Sequence, residues 1–227
     1  MKALVAVSKS REWVESEWED QIGTWKIPQG WQIAFGKLKQ FTAAERHNTA
    51  ILEAKYNADR VLFMDTDQVY PHEYLEMMLA HDEPIVSGLN VSRYAPFEIA
   101  TYAFEGEEKS NGIVYPKFTA IQPPTKKLFE CDCVGTGALM VDPKILDKLP
   151  TPYFKDIYDS EGCKRFCPDD FYFGWLLHKA GFKVLVDQSI IVKHIAKILV
   201  SPYNARDLRK AWEKVNSGFG YWKDGKR

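Results

Sequence analysis

Asp65 and Asp67 stand one residue apart at the end of an apolar run, in the stretch "RVLFMDTDQVYP". Residues i and i+2 of a strand point the same way, so the two carboxylates can face one spot. Carboxylates that converge repel unless a cation or a proton sits between them. A hard divalent cation, Mg2+ or Mn2+, binds such oxygens and keeps positions open for a phosphate. A strand-end turn, where aspartate is common, would also account for the tripeptide alone.

Two other places carry chemistry. Asp169 and Asp170 open the helical stretch "DDFYFGWLLHKAG", where the helix dipole favours negative charge. Capping accounts for one of them, and the pair still fixes a carboxylate able to act as a base. His194 closes the apolar strand of "SIIVKHIA". It is either a satisfied structural histidine or a ligand, depending on what converges on it. The four cysteines fall in two close pairs, Cys131 with Cys133 and Cys163 with Cys167. That spacing is not a common zinc-ribbon or finger pattern, so free thiols are expected, with a zinc site or an inter-pair disulfide as alternatives.

These residues need elements to position them. Residues 3–7 and "WQIAF" read as strands, and 11–22 as a helix with Val14, Trp18 and Ile22 at helical spacing. "TAAERHNTAILEAKYNA" reads as a helix opened by a Thr42/Glu45 capping box. After the 61–64 strand, Pro71 suits the first turn of a helix through "HEYLEMMLA", and "PIVSGLN" is the next strand. The segments "FEIATYAF" and "GIVYPKF" alternate and predict a hairpin, split by "EGEEKSNG". "GALMV" is a strand, "DPKILDKL" a short helix capped by Asp142, and "FKVLVDQSIIVKHIA" one or two last strands. An alternating β/α half thus meets a more antiparallel half. The expectation is an α/β fold, a mixed sheet sandwiched by helices, with ligands beyond the carboxyl ends of the strands.

The composition sets further bounds. The chain has 227 residues, 45% apolar and 27% charged, with 30 basic against 31 acidic side chains. So balanced a charge gives no general nucleic-acid footprint and no pull toward an anionic membrane. No apolar run approaches the ~18 residues of a membrane span. The start, "MKALVAVSKS", is too short for a signal-peptide core, so the expected location is cytoplasmic. The tail "YNARDLRKAWEKVNSGFGYWKDGKR" mixes basic and aromatic residues. It suits docking on a membrane surface or partner, covering a site, or plain solvation.

The order of these features is familiar. An apolar strand ends in D-x-D, then comes "VGTGALMV", then an acidic pair opening a helix that ends in "KAG", then a strand ending in histidine. This resembles the GT-A-type (Rossmann-like) nucleotide-sugar glycosyltransferases, in particular the inverting family-two-like group of bacteria and their phages. The resemblance covers roughly residues 1 to 196. It implies one catalytic domain over 1–200, with 1–90 for the nucleotide and 91–200 for the acceptor, and a tail at 201–227.

It also implies roles. Asp67 would bind Mn2+ or Mg2+, Asp65 would touch the ribose or the metal's water, and His194 would complete coordination. Asp170 would be the general base, with Asp169 where glutamate is usual. Gly135, Thr136 and Gly137 would line the donor-sugar and acceptor side, with Trp175 in the acceptor region where many relatives carry arginine. Arg46 and Asn48, separated here by His47, would face the nucleotide, as would Val7 and Ser8 at the end of the first strand. The implied donor is a nucleoside-diphosphate sugar, UDP being the commonest, and the acceptor is open.

Two rivals share the residues. "VLFMDTDQV" fits the haloacid-dehalogenase phosphatase pattern, in which Asp65 would be a nucleophile and Asp67 an acid–base. That motif usually sits on a first strand, whereas here about sixty residues of β/α structure precede it. The second rival is a non-catalytic nucleotide-sugar or carbohydrate-binding module, with Trp13, Trp18, Trp25 or Trp31 as stacking residues.

Overall fold

The structure is a computed structural model that describes residues 1–8, 21–38, 40, 42–92, 97–195 and 210. Most of the expected 11–22 helix, with Trp13 and Trp18, and nearly all of the tail lie outside them. The chain divides by contacts into Met1–Ile195 and Ala196–Arg227. The first unit holds the sheets and the helices packed on them.

Its strands are β1 (Lys2–Ser8), β2 (Gln32–Leu38), β3 (Arg60–Asp65), β4 (Gln68–Val69), β5 (Ile85–Leu89), β6 (Thr101–Ser110) and β7 (Ile113–Ala120). Then come β8 (Leu128–Cys131), β9 (Cys133–Val134), β10 (Ala138–Val141), β11 (Ile157–Tyr158), β12 (Arg165–Cys167), β13 (Val184–Ile191) and β14 (Lys193–His194). Helices α1 (Ala43–Asn57), α2 (Tyr74–Leu79) and α3 (Asp169–Lys179), and a 3-10 helix at Pro143–Lys148, connect them.

Seven strands form one sheet in the order β2-β1-β3-β10-β5-β13-β8. β1 runs parallel to β2 and β3, and β13 parallel to β5. β10 lies antiparallel between β3 and β5, and β8 antiparallel on the edge beside β13. The sheet is therefore mixed, as the change of pattern along the chain requires.

Alternation along the strands feeds two cores. Val61 and Phe63 of β3, with Leu139 and Val141 of β10, pack against Ala50, Ile51 and Ala54 of α1 and Phe173, Leu176 and Leu177 of α3. Leu62 and Met64, with Ala138 and Met140, pack on the other face against Tyr74, Leu75 and Met78 of α2. β3 is buried on both faces, which is why it reads as a continuous apolar run rather than an alternating one.

Helix α1 begins as its sequence predicts. Thr42 Oγ1 accepts from the Glu45 N–H at 3.1 Å, and Glu45 Oε2 accepts from the Thr42 N–H at 2.9 Å. Thr42→Ala is expected to cost about 1 kcal/mol in urea unfolding, the usual worth of such a cap. No loss of stability would mean that packing alone sets this helix start.

Two local expectations are corrected and a third is met. The hairpin is not split by a long loop: β6 continues to Ser110 and the turn is Asn111 and Gly112 alone, at φ 50° and 83°. Asn-Gly takes these left-handed angles at little cost, so the charged residues before it stay in the strand. Helix α2 starts at Tyr74, and Pro71 lies in the preceding turn, its carbonyl accepting from the Tyr74 N–H. The segment after Asp142 is a 3-10 helix, with Asp142 Oδ1 accepting from the Lys144 N–H as its cap.

Candidate active site

The sheet's carboxyl edge, at the end of β3, opens into a cleft of about 350 Å³. Arg46, Asp65, Asp67, Gly135, Thr136, Gly137, Asp169, Asp170 and His194 all line it. Among the described residues Asp65, Asp67 and His194 form a group that could hold a metal ion, their ligand atoms lying within 4.8 Å of one another.

Local pairing brings them together. β14 runs antiparallel to β4 with His194 opposite Gln68, and the Ile195 N–H donates to the Asp67 carbonyl at 2.8 Å. His194 Nδ1 lies 2.6 Å from the Val91 carbonyl oxygen. A carbonyl only accepts, so Nδ1 carries a proton and Nε2 is turned toward Asp67 Oδ1, 3.6 Å away. A backbone carbonyl fixing one ring nitrogen while the other faces carboxylates is how ligating histidines are held. Beneath the loop, the Tyr70 hydroxyl accepts from the Asp65 N–H at 2.8 Å and lies 2.8 Å from both the Gly137 carbonyl and Gln68 Oε1.

The electrostatics suit a cation. Burial, and then the charge of Asp67, pushes the Asp65 carboxyl above its ordinary value; His47, His194 and Arg46 oppose the rise. Burial alone would lower His194, but the contact with Asp67, the Val91 carbonyl and the charges of the two carboxylates together raise it. Two carboxylate oxygens and one imidazole nitrogen are a fitting donor set for Mn2+, and a less usual one for Mg2+, which prefers oxygen alone.

Gly137 is needed for this approach. A Cβ there would lie 2.5 Å from Gln68 Nε2 and 2.6 Å from Asp65 Oδ2. Gly137→Ala is expected to displace the Asp65 carboxylate and weaken Mn2+ binding at least about tenfold, as supporting-shell changes do. Titration of free Mn2+ by electron paramagnetic resonance reads this, and an unchanged affinity would remove Asp65 from the site.

Across the cleft stand the residues of α3. Its N-cap is Pro168, so neither aspartate is the cap residue. Asp170 Oδ1 accepts from the Phe171 N–H at 2.9 Å. Burial first, and then the charge of Asp169, pushes the Asp170 carboxyl up to about 7, against the Phe171 N–H, His47 and Arg165. A carboxylate in that range is matched to taking a proton near neutral pH. Tyr102 lines the same wall, and burial followed by the Asp170 charge pushes its phenol up to about 12.

Not every expected residue arrives. Val7 is 2% exposed and belongs to the α2-side core. The Ser8 backbone pairs beside Asp65. Asn48 faces away from the cleft: its amide donates to the Ala44 and Phe154 carbonyls and its oxygen accepts from the Tyr153 and Phe154 N–H groups. Positions 46 and 48 are about 200° apart around a helix, so Arg46 and Asn48 cannot share one face. Trp175 is packed under the β6–β7 hairpin, with its indole N–H donating to Glu107 at 3.0 Å and Lys179 over its ring. Five residues beyond Asp170, it sits on another side of α3.

Other residues line the cleft unannounced. His47 is one, its Nδ1 2.7 Å from Asp169 Oδ2; Gln68, Asn90 and Tyr102 are others. A helical wheel of α1 carries a signal for His47, because it lies only about 100° from Arg46. The four cysteines are free, and all but Cys163 are buried. Trp25 is buried in a T-shaped contact with Tyr70, which makes it a core residue and no stacking platform. No described helix is long and apolar enough to cross a membrane.

No family model matches the chain. No curated protein matches it. Solved structures do. One is the crystal structure of GalNAc-T7 with UDP, GalNAc and Mn2+, at TM-score 0.48 and 12% identity, covering 87% of this chain and 44% of that one. Another is the crystal structure of A197 from STIV, at TM-score 0.54 and 14% identity, covering 87% of each chain. At that identity, what this chain shares with A197 is its fold.

Proposed function

We propose that the protein is a metal-dependent glycosyltransferase that moves a sugar from a nucleoside-diphosphate sugar to an acceptor hydroxyl, with inversion. One observation carries this: a ligand set made of Asp65, Asp67 and His194 shares a single cleft with a separate carboxylate, Asp170, pushed up to about 7. The order of motifs in the sequence, which resembles the GT-A group, supports it.

Asp67, Asp65 and His194 would hold Mn2+ or Mg2+. When bound, the ion supplies neutralisation of the charge that gathers on a departing diphosphate, worth several kcal/mol. Arg46, which is 6% exposed and donates to the Gln40 carbonyl, adds a fixed positive charge on the same wall. Gly135, Thr136 and Gly137 line the same cleft and would face the donor sugar. The acceptor hydroxyl is a poor nucleophile while protonated. Asp170 takes that proton as the bond to the anomeric carbon forms and the bond to the diphosphate breaks, a contribution of about 10²–10⁴ in rate. Attack from the face opposite the leaving group gives inversion. A UDP-sugar is the first donor to try.

The test is a thermal-shift panel of UDP, GDP, CDP and dTDP, each with and without Mn2+. A ligand that binds only the native state raises the melting temperature by mass action. A nucleotide shift that needs manganese supports the reading and names the base. Melting curves that ignore every nucleotide under both conditions would end it.

A further inference from the structure

The pair of aspartates at the start of α3 leaves a choice: either could serve as the base. His47 makes the choice. Its Nδ1 lies 2.7 Å from Asp169 Oδ2, in a pair whose side chains are 4% and 10% exposed. A carboxylate only accepts, so Nδ1 donates. The imidazole itself has no freedom to swing. It packs edge-on to Phe63 at 5.3 Å and tilted against Phe154 at 5.0 Å, and those two rings touch each other at 5.5 Å. Phe154 in turn stacks on Phe173 of α3 at 4.5 Å, which ties the α1 histidine to the helix that carries the acids. Asp170 has a different setting, accepting from the Phe171 N–H.

We infer that His47 is a positioning residue: it ties Asp169 to the buried cluster of Phe63, Phe154 and Phe173, so that Asp170 alone is presented to the acceptor as base. This rests on the reading of Asp170 as the base of a sugar transfer. The adjacent carboxylate is not a second base. It is the far end of a clamp that sets the angle of the first turn of α3. Misplacing a reacting group by about an ångström is enough to cost a large rate factor.

The test is a set of variants assayed for UDP release from UDP-sugars with Mn2+, water or a sugar hydroxyl serving as acceptor. His47→Leu removes the donor and is expected to lower kcat at least about tenfold with the donor KM within about twofold. His47→Asn keeps a donor near the place of Nδ1 and is expected to recover most of that loss. In an Asp169→Asn background, His47→Leu is expected to add little, since partners in one clamp are not additive. Independent, multiplying losses, or an asparagine variant as poor as the leucine one, would overturn the inference.

A second measurement separates this inference from the functional reading. In proton NMR of the wild type, the His47 Nδ1–H is expected as a slowly exchanging, far-downfield signal that is lost in Asp169→Asn. A wild type that turns over no donor sinks the transfer reading, and this signal then decides the clamp: its presence in the wild type and loss in Asp169→Asn keep the clamp, and its absence from the wild type or persistence in the variant removes it.

Discussion

Asp67→Ala is expected to lower manganese-dependent transfer by about a thousandfold or more. An ion that neutralises the leaving group supplies several kcal/mol, and each 1.36 kcal/mol is a factor of ten. The loss should appear in binding as well as rate. At a ligand concentration of 100 Kd, binding adds about 2.7 kcal/mol to stability, which for a unit of this size is a shift of roughly 5–10 °C. In Asp67→Ala the nucleotide shift that needs manganese should vanish. Unfolding is checked apart from binding: the substitution removes both a repulsion with Asp65 and an attraction to His194, so the metal-free variant should melt close to the wild type. A variant that kept its full manganese-dependent shift would take the D-x-D out of the metal site.

Asp170→Asn is expected to lower kcat about 10²–10⁴-fold while leaving the manganese-dependent nucleotide shift in place. The pH dependence gives an independent check. Asp170 must be ionised to accept a proton, so kcat should rise with pH through about 7 in the wild type. The groups that face it are Asp169, whose charge raises it, His47 and Arg165, which lower it, and Tyr102, Cys133 and Cys167 around it. Stability should run the other way. A carboxyl whose folded pKa lies above its unfolded one stabilises the fold fully below the unfolded value, near 3.8, and that contribution is lost as pH rises through about 7. At pH 8 the asparagine variant, which has no charge to bury, should therefore melt higher than the wild type. A variant both inactive and less stable at pH 8 would point to a structural role for Asp170.

Much of this could be read from residue order, and the reasons differ by residue. The Thr42/Glu45 box was legible because its bonds are local, three residues apart. β3 was legible because burial on both faces leaves an unbroken apolar run. D-x-D and the acidic pair were visible as types and spacings, and the cleft brings them together with His194. What stayed hidden depends on direction and distance. Asn48 and Trp175 sit on the right elements but on the wrong sides of their helices. The His47 bond spans 122 residues, and nothing near position 47 reveals its partner. Asn111-Gly112 was plain in the sequence, yet the charged stretch before it read as loop. A two-residue turn lets such residues remain paired on an exposed hairpin.

The pairing of β14 with β4 sets a timetable for synthesis. Gln68 and His194 are 126 residues apart in the chain. At about 5–20 residues per second, roughly 6 to 25 s of translation separate the first carboxylate ligands from the imidazole. A nascent chain that already displays both aspartates therefore still lacks the third member of the candidate metal group, which a single late side chain completes.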